Sequence, residues 1–171
     1  EDLGMIPDSV PDVMNKLQIL SLEIERMPKS PQSEFTDMHN LPYHSVCTTS
    51  THDMTPLRNW WKEDPEKTQR YYNHVLQRIG EAPDECTAEI VAQIISNHLK
   101  TRSMLTIIPL QDWFAMDDSI KRKDIESERI NVPANSTHYW RYRMHITLEQ
   151  LLQADNLNNK IVSLIKEAGR K

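Results

Sequence analysis

A histidine and an aspartate stand at the end of a short segment rich in β-forming residues. Residues 45–53 read Ser-Val-Cys-Thr-Thr-Ser-Thr-His-Asp, so His52 and Asp53 close the segment, and Pro56 opens a helical stretch soon afterwards. Parallel α/β barrels present their reactive groups in this way, at the carboxyl ends of strands. A fixed carboxylate stabilises a sugar ring that gains positive charge, and a neutral imidazole beside it donates to a hydroxyl group. The pattern is therefore compatible with a sugar-binding catalytic site, although a His-Asp pair by itself is weak evidence for one.

Metal binding and nucleophilic catalysis are two other uses of side chains in this region. Four donor side chains lie close together in sequence: His39, His44, His52 and Asp53. Their spacing matches no compact zinc or iron motif, such as two histidines one helical turn apart. Cys47 lies in the middle of the β-rich segment, with no sign of surroundings that would activate its thiol. We therefore expect no metal, no cofactor and no cysteine nucleophile.

The hydrophobic pattern alternates between the period of a strand and that of a helix. Strands are predicted at residues 19–25, 45–53 and 104–109, and the last of them reads as a strand buried on both faces. Helices are predicted where apolar residues recur every three to four positions, at residues 10–17, 56–62, 65–79 and 87–100. Gly80 is expected to end the third helix, and a capping box at Thr147 to open two closing amphipathic helices. Strands that alternate with helices imply an α/β fold with a parallel sheet.

Two polar stretches carry aromatic residues with more than one interpretation. Residues 28–44 form a long loop by composition, with two aromatic residues and two histidines, and they fit either a wall of a sugar cleft or a surface excursion. Residues 140–143 read Trp-Arg-Tyr-Arg, and in an acidic chain we expect an arginine ion pair inside a packed corner rather than nucleic-acid stacking. Trp60 and Trp61 recur at helical spacing and are expected in the core, with stacking on a sugar ring as the alternative.

The overall composition limits the partners. The chain of 171 residues has a formal net charge of −5 and a sequence pI of about 5.8, and its basic residues form no stripe, which argues against nucleic acid as a partner. With only 3 glycines it has no Gly-rich phosphate loop. No apolar run is long enough to span a membrane, so we expect no membrane partner. Two cysteines are too few for a disulfide framework and suit reduced thiols, which predicts a cytoplasmic protein.

Five short stretches follow one another along the chain in a recognisable order. They are Glu1-Asp2-Leu3-Gly4, Thr51-His52-Asp53, Pro109-Leu110-Gln111-Asp112, Asn131-Val132-Pro133 and Trp140-Arg141-Tyr142-Arg143. Together they resemble the C-terminal part of the 4-alpha-glucanotransferases of the amylomaltase, or disproportionating enzyme, family, which belongs to the alpha-amylase clan. The resemblance runs nearly from end to end of the chain and does not rest on any single motif.

The resemblance implies a TIM barrel and a retaining double displacement. The chain would then be the C-terminal portion of a (β/α)8 barrel, from the end of strand five through strand eight, plus the terminal helices. Members of the family cleave an α-1,4 bond and pass the glucosyl or glucanosyl unit to the 4-hydroxyl of another sugar. The implied substrates are maltose, malto-oligosaccharides and α-glucans such as starch and glycogen.

Carried over residue by residue, the resemblance assigns roles to four side chains. Glu1 is the expected general acid/base, and Asp53 is the expected stabiliser of the transition state. His52 is expected to bind the sugar at the cleavage subsite, and Asn131 to contact the sugar. The family's nucleophilic aspartate lies on an earlier barrel strand, upstream of Glu1. Residues 1–171 are therefore expected to form the C-terminal part of the catalytic barrel and to need the N-terminal half of the same enzyme as their partner.

Two departures from the family's pattern bear on the acceptor. After the His-Asp pair many members read Asn-Asp-Thr, where this chain has Met54-Thr55-Pro56, and for their Pro-Gly-Thr it has Pro133-Ala134-Asn135. The variant resembles the branch found in plant cytosolic enzymes and in some bacteria with added starch-binding modules. Simple disproportionation and transfer from maltose to a branched heteroglycan both remain open. A non-catalytic glycan-binding or assembly module that keeps Asp53 and His52 is the competing class.

Overall fold

The sheet has three parallel strands, whose carboxyl ends meet at one edge. In the computed structural model, which describes residues 7–170, the strands are β1 (Ser21–Ile24), β2 (Ser45–Thr48) and β3 (Leu105–Thr106), in the spatial order β1-β2-β3. β2 is the central strand and forms parallel ladders with both neighbours, which begin at the pairs Ser21–Ser45 and Val46–Leu105. This arrangement is the α/β fold that the alternating sequence pattern predicts.

Residues 7–170 contain seven α-helices, and three of them begin at a capping side chain. They are α1 (Val10–Lys16), α2 (Leu57–Glu63), α3 (Pro65–Arg70), α4 (Ala88–Leu99), α5 (Leu110–Phe114), α6 (Leu148–Leu152) and α7 (Asp155–Glu167). Asp64 and Thr87 cap α3 and α4 by accepting hydrogen bonds from backbone amides. Thr147 and Gln150 form the predicted capping box at α6. Within residues 7–170, no helix combines the length and apolar character that a membrane crossing requires.

The main hydrophobic core is built by the helices of the crossover between β2 and β3, together with α5 and α7. Its fully buried side chains include Leu57, Trp61, Ile90, Ile94, Ile95, Phe114 and Leu157. α4 contributes most because its apolar residues share one face of the helix. Trp60 and Trp61 both belong to this core, and Trp61 donates its indole N–H to the Pro83 oxygen at 2.8 Å. Their predicted structural role is therefore confirmed.

The third strand is shorter and more exposed than its sequence predicts. Residues 104–109 read as a strand buried on both faces, but β3 is an edge strand of the described sheet and Ile107 is 59 % exposed. At the opposite side, Leu17 and Ile19 are exposed just before β1. The predicted burial of this strand is not observed in residues 7–170, because a strand is buried only where other segments pack against it. An apolar edge strand without such neighbours is open to pairing with another strand.

The helix predicted over residues 65–79 is divided. α3 ends at Arg70, and one π-helical turn follows at Tyr71–Val75. Gln77 then adopts a left-handed conformation, with φ of 55°. The helical segment thus ends before Gly80, and the prediction that Gly80 ends it is wrong, because Gln77 makes the left-handed turn that glycine usually supplies.

The loop of residues 28–44 runs from the carboxyl end of β1 back to the amino end of β2. It contains one 3-10 turn, Met38–Asn40. Tyr43 and His44 lie at the amino ends of the strands, where the His44 oxygen accepts a hydrogen bond from the amide of Ser21 at 3.1 Å. For these two residues the surface excursion is the correct interpretation. They lie at the amino end of β2, whereas His52 and Asp53 follow its carboxyl end.

Candidate active site at the carboxyl end of β2

Asp53 lies on the loop that leaves the carboxyl end of β2. Thr49 and Ser50 are still buried, whereas His52 and Asp53 reach the surface. Oδ1 of Asp53 accepts a hydrogen bond from Nδ2 of Asn131 at 2.6 Å, and Nε2 of His52 lies 3.4 Å from the same oxygen. Within residues 7–170 no hydrogen bond engages Oδ2 of Asp53. One carboxylate oxygen is thus fixed by its neighbours in the chain.

Asn131 reaches Asp53 from a distant part of the chain. Its backbone amide donates to the oxygen of His52 at 3.2 Å, and its own Oδ1 accepts from the amide of Val132 at 2.9 Å. The second of these bonds fixes the side-chain amide with Nδ2 toward Asp53. The structure therefore brings together three of the four site residues that the sequence indicates, namely His52, Asp53 and Asn131.

An exposed tryptophan extends the site beside the imidazole. The ring centroids of Trp140 and His52 are 4.9 Å apart, with planes inclined by 45°, and Trp140 is 61 % exposed. The packed corner expected at residues 140–143 is therefore wrong. The guanidinium of Arg141 instead lies 5.4 Å from the ring of Tyr139, which is also exposed. These rings remain at the surface and offer broad apolar faces to a ligand.

Asp112 on α5 holds the base of the Asp53 loop. It is 0 % exposed, and its carboxylate accepts hydrogen bonds from the hydroxyl groups of Thr49 and Ser50 at 2.6 and 3.2 Å and from the amide of Leu57 at 2.9 Å. Burial raises the pKa of Asp112 above its usual value, although these hydrogen bonds and the charge of Arg26 act in the opposite direction. Asp112 thus links α5 to both ends of the segment that carries the His-Asp pair.

Arg26, just after β1, holds the same segment from the other side. Its Nε donates to the oxygen of Thr49 at 3.1 Å and its Nη2 to the oxygen of Thr55 at 2.8 Å. The guanidinium also lies 5.0 Å from the ring of Trp60. Burial lowers the pKa of Arg26 from its usual value. The sequence assigns no role to Arg26 or Asp112: Arg26 is a charged residue at the edge of an apolar run, and Asp112 ends one of the five motifs.

The remaining expectations for the site have different outcomes. Glu1 lies outside the described residues 7–170. Across those same residues, no three His, Cys, Asp or Glu side chains converge in a group that would hold a metal ion. His44 and Asp53 lie at opposite ends of β2, so the alternative of a metal site built from them has no geometric support.

Solved structures with a similar fold are amylomaltases. Amylomaltase from Streptococcus agalactiae in complex with acarbose matches with a TM-score of 0.74 at 17 % identity, over 99 % of this chain and 31 % of that one. Amylomaltase from Corynebacterium glutamicum matches with a TM-score of 0.70 at 16 % identity, over 96 % of this chain and 28 % of that one. At these identities the likeness shows a shared fold.

Curated relatives carry a sequence signal as well. The chain is 40 % identical over 170 residues to the 4-alpha-glucanotransferase DPE2 of Oryza sativa subsp. japonica, which covers 99 % of this chain and 18 % of that protein. It is 28 % identical over 171 residues to the 4-alpha-glucanotransferase of Chlamydia caviae, with 98 % and 32 % covered. The chain thus spans less than a third of the length of each of these relatives.

The family model agrees with both comparisons. The model described as 4-alpha-glucanotransferase matches residues 1–149, which is most of the chain and includes all five sequence motifs in full. The match also spans the whole of the site around Asp53. By this match, this chain belongs to the 4-alpha-glucanotransferase family.

Proposed function

We propose that the protein containing this chain is a 4-alpha-glucanotransferase that moves α-1,4-linked glucosyl or glucanosyl units between sugars by a retaining double displacement. One observation carries the proposal: Asp53 stands at the carboxyl end of a parallel strand, where Asn131 fixes one of its oxygens and, within residues 7–170, no hydrogen bond engages the other. A carboxylate held in this way stabilises the positive charge that develops on a sugar ring.

The roles of the site residues follow from this chemistry and from the family resemblance. Asp53 stabilises the oxocarbenium-like transition state, and Asn131 holds it in place. His52 binds a sugar hydroxyl group at the cleavage subsite. Glu1 is the proposed general acid/base. The nucleophile comes from the remainder of the enzyme, because a retaining mechanism needs a second carboxylate about 5 Å from the acid/base.

We also propose that residues 1–171 complete a (β/α)8 barrel with the N-terminal half of the same enzyme. β1, β2 and β3 would be its sixth, seventh and eighth strands. The exposed apolar residues at both sides of the sheet, Ile107 at β3 and Leu17 and Ile19 before β1, support this proposal, since barrel closure would cover them. The chain matches only 18 % and 32 % of the length of the two relatives described above, which is consistent with this proposal.

The proposed substrates are maltose, malto-oligosaccharides and longer α-glucans. They are supported by the names of the relatives, which are 4-alpha-glucanotransferases, and by the acarbose complex of the Streptococcus agalactiae amylomaltase. The two cysteines, Cys47 and Cys86, are free and buried, which supports the further proposal of a cytoplasmic location.

A label-exchange experiment tests the proposed function. The complete enzyme is incubated with maltose and labelled free glucose. A transferase produces labelled maltose and labelled longer oligosaccharides while the number of reducing ends stays constant. A hydrolase would raise the number of reducing ends, and a glycan-binding module would bind maltose with no labelled product. Either of the last two results would overturn the proposal.

Replacement of Asn131 by alanine is expected to lower kcat for glucosyl transfer. The change removes the hydrogen bond that fixes Asp53, and a hydrogen bond to a charged group contributes about 1.5–3 kcal/mol, so we expect a loss of roughly 10- to 100-fold. The measurement is kcat with maltose at saturating concentration. Asn135→Ala is the matched control and should keep full activity, since within residues 7–170 the Asn135 side chain accepts hydrogen bonds only from Thr137 in its own turn. Equal rates in the two variants would contradict the role of Asn131.

Replacement of Trp140 by alanine is expected to act mainly on substrate binding. The exposed ring beside His52 offers a stacking face, and an aromatic contact of this kind contributes about 0.5–1.5 kcal/mol beyond its buried area, so KM for maltotriose should rise about tenfold. Initial rates over a range of maltotriose concentrations measure the change. Trp140→Phe keeps an aromatic face and should recover most of the loss. An unchanged KM in Trp140→Ala would exclude the stacking role.

A further inference from the structure

A buried carboxyl group faces a small pocket behind the proposed sugar site. Glu128 is 2 % exposed, and its Oε2 has no hydrogen-bond partner in the part of the chain that the structure describes. The pocket has a volume of about 60 Å³ and is lined by the loop after β2, including His52, by the start of α5 and by Glu128 itself. A water molecule needs roughly 10–15 Å³ of such space, so solvent has room to reach this carboxyl group.

Glu128 also anchors the segment that carries Asn131. Its Oε1 lies 3.5 Å from Nη1 of Arg58 on α2, and its backbone oxygen accepts a hydrogen bond from Nε2 of Gln111 on α5 at 3.1 Å. Farther along the same segment, Asn131 donates to Asp53 at 2.6 Å. A short stretch of chain thus connects Glu128, whose carboxyl group lies against α2 and whose backbone is bound by α5, to the residue that orients Asp53.

We propose that Glu128 is a positioning residue for the transfer reaction: its ionised carboxylate, held against Arg58, keeps Asn131 aligned with Asp53, and protonation of Glu128 loosens that alignment. The inference rests on the proposed function of Asp53. Glu128 contacts no reacting group itself. It acts on the rate of the chemical step through Asn131, in the way that supporting hydrogen bonds orient the groups that contact a substrate.

The charge state of Glu128 depends on groups from every element packed against it. These groups are Arg58 on α2, Asp112 on α5, His52 across the pocket, and Arg122 and Tyr142 from the later loops. Burial raises the pKa of Glu128 to about 7, Arg58 and Arg122 act to lower it, and Asp112 acts to raise it. Above about pH 7, Glu128 is therefore ionised and keeps Asn131 aligned with Asp53. Below that pH it is protonated.

The pH profile of kcat in the complete enzyme tests this inference. In the wild type, kcat with maltose should contain a step with a midpoint near pH 7, across which it falls by about tenfold toward acid, as expected for loss of one hydrogen bond to a charged group. Glu128→Gln cannot ionise, so its profile should lack the step and stay at the lower level, while KM changes little. Glu126→Gln, on the same turn but exposed, is the matched control and should keep the step.

A second comparison keeps the inference testable when Glu128→Gln does not fold. Asn131→Ala removes the connection to Asp53 and keeps Glu128, so its profile should lack the step near pH 7. Where Glu128→Gln does fold, adding it to Asn131→Ala should cause no further loss. A wild type with transferase activity but no such step, or a step that persists in Glu128→Gln or in Asn131→Ala, would overturn the positioning role alone. A wild type without any transfer would instead overturn the proposed function.

Discussion

Replacing Asp53 by asparagine in the complete enzyme is expected to lower kcat for glucosyl transfer by about 10³-fold, the upper end of the cost of losing one preorganised electrostatic group. The side chain of asparagine has almost the same shape, and its oxygen can still accept the hydrogen bond from Asn131. What disappears is the negative charge, which is most useful when the sugar ring becomes positively charged. Because that charge is present only near the transition state, kcat should fall far more than KM rises.

The matched control for this prediction is Asp118→Asn. Asp118 is also an aspartate, its side chain is 74 % exposed, and its ion pair is with Lys121 three residues later in the same turn. The change should therefore leave the rate within a factor of about two, as for surface sites in general. Steady-state kinetics with maltose and maltotriose give kcat and KM for both variants. A reduction of less than tenfold in Asp53→Asn would show that another carboxylate stabilises the transition state.

The parts of this structure that the sequence predicts are those set by local chemistry. The period of the apolar residues locates β1, β2 and α4 because burial on one face leaves its pattern in neighbouring residues. The His-Asp pair is also readable, since a polar pair directly after a buried strand stands at the carboxyl edge of the sheet. Asn131 came from the family resemblance, because nothing local shows that a loop residue will reach Asp53.

The parts that the sequence does not show depend on which segments meet in space. Trp140 is exposed beside His52, although the alternation of aromatic and basic residues favoured a packed corner. Leu105 and Ile107 are typical of a covered strand, but β3 is an edge strand of the described sheet and both residues are exposed. In both cases the residue types indicate whether a surface is suited to burial. Whether another segment packs against that surface depends on the tertiary fold, which the local sequence does not show.

Asp112 is another residue whose burial the local sequence does not show, and here the effect on stability is large. Its sequence context is an apolar strand followed by a helix start, which gives no reason to expect a fully buried carboxylate. Yet it accepts hydrogen bonds from Thr49, Ser50 and Leu57, and so joins α5 to the end of β2 and to the start of α2. Burial raises the pKa of this carboxyl group, so the ion itself gains nothing from being buried. Its value to the fold lies in the three donors that it satisfies.

Asp112→Ala is therefore expected to lower the free energy of unfolding by about 3–5 kcal/mol, because it leaves buried donors without a partner and the charge of Arg26 without its neighbour. Asp112→Asn keeps one acceptor oxygen for the amide of Leu57 and, since hydroxyl groups can also accept, should cost only about 1–2 kcal/mol. Urea unfolding of the complete enzyme measures both values, and the exposed Asp118→Ala should change the free energy by no more than about 0.5 kcal/mol. Equal losses in the alanine and asparagine variants would show that the charge matters more than the hydrogen bonds. A loss in Asp112→Ala no larger than in Asp118→Ala would show that the loop bearing Asp53 is held by Arg26 alone.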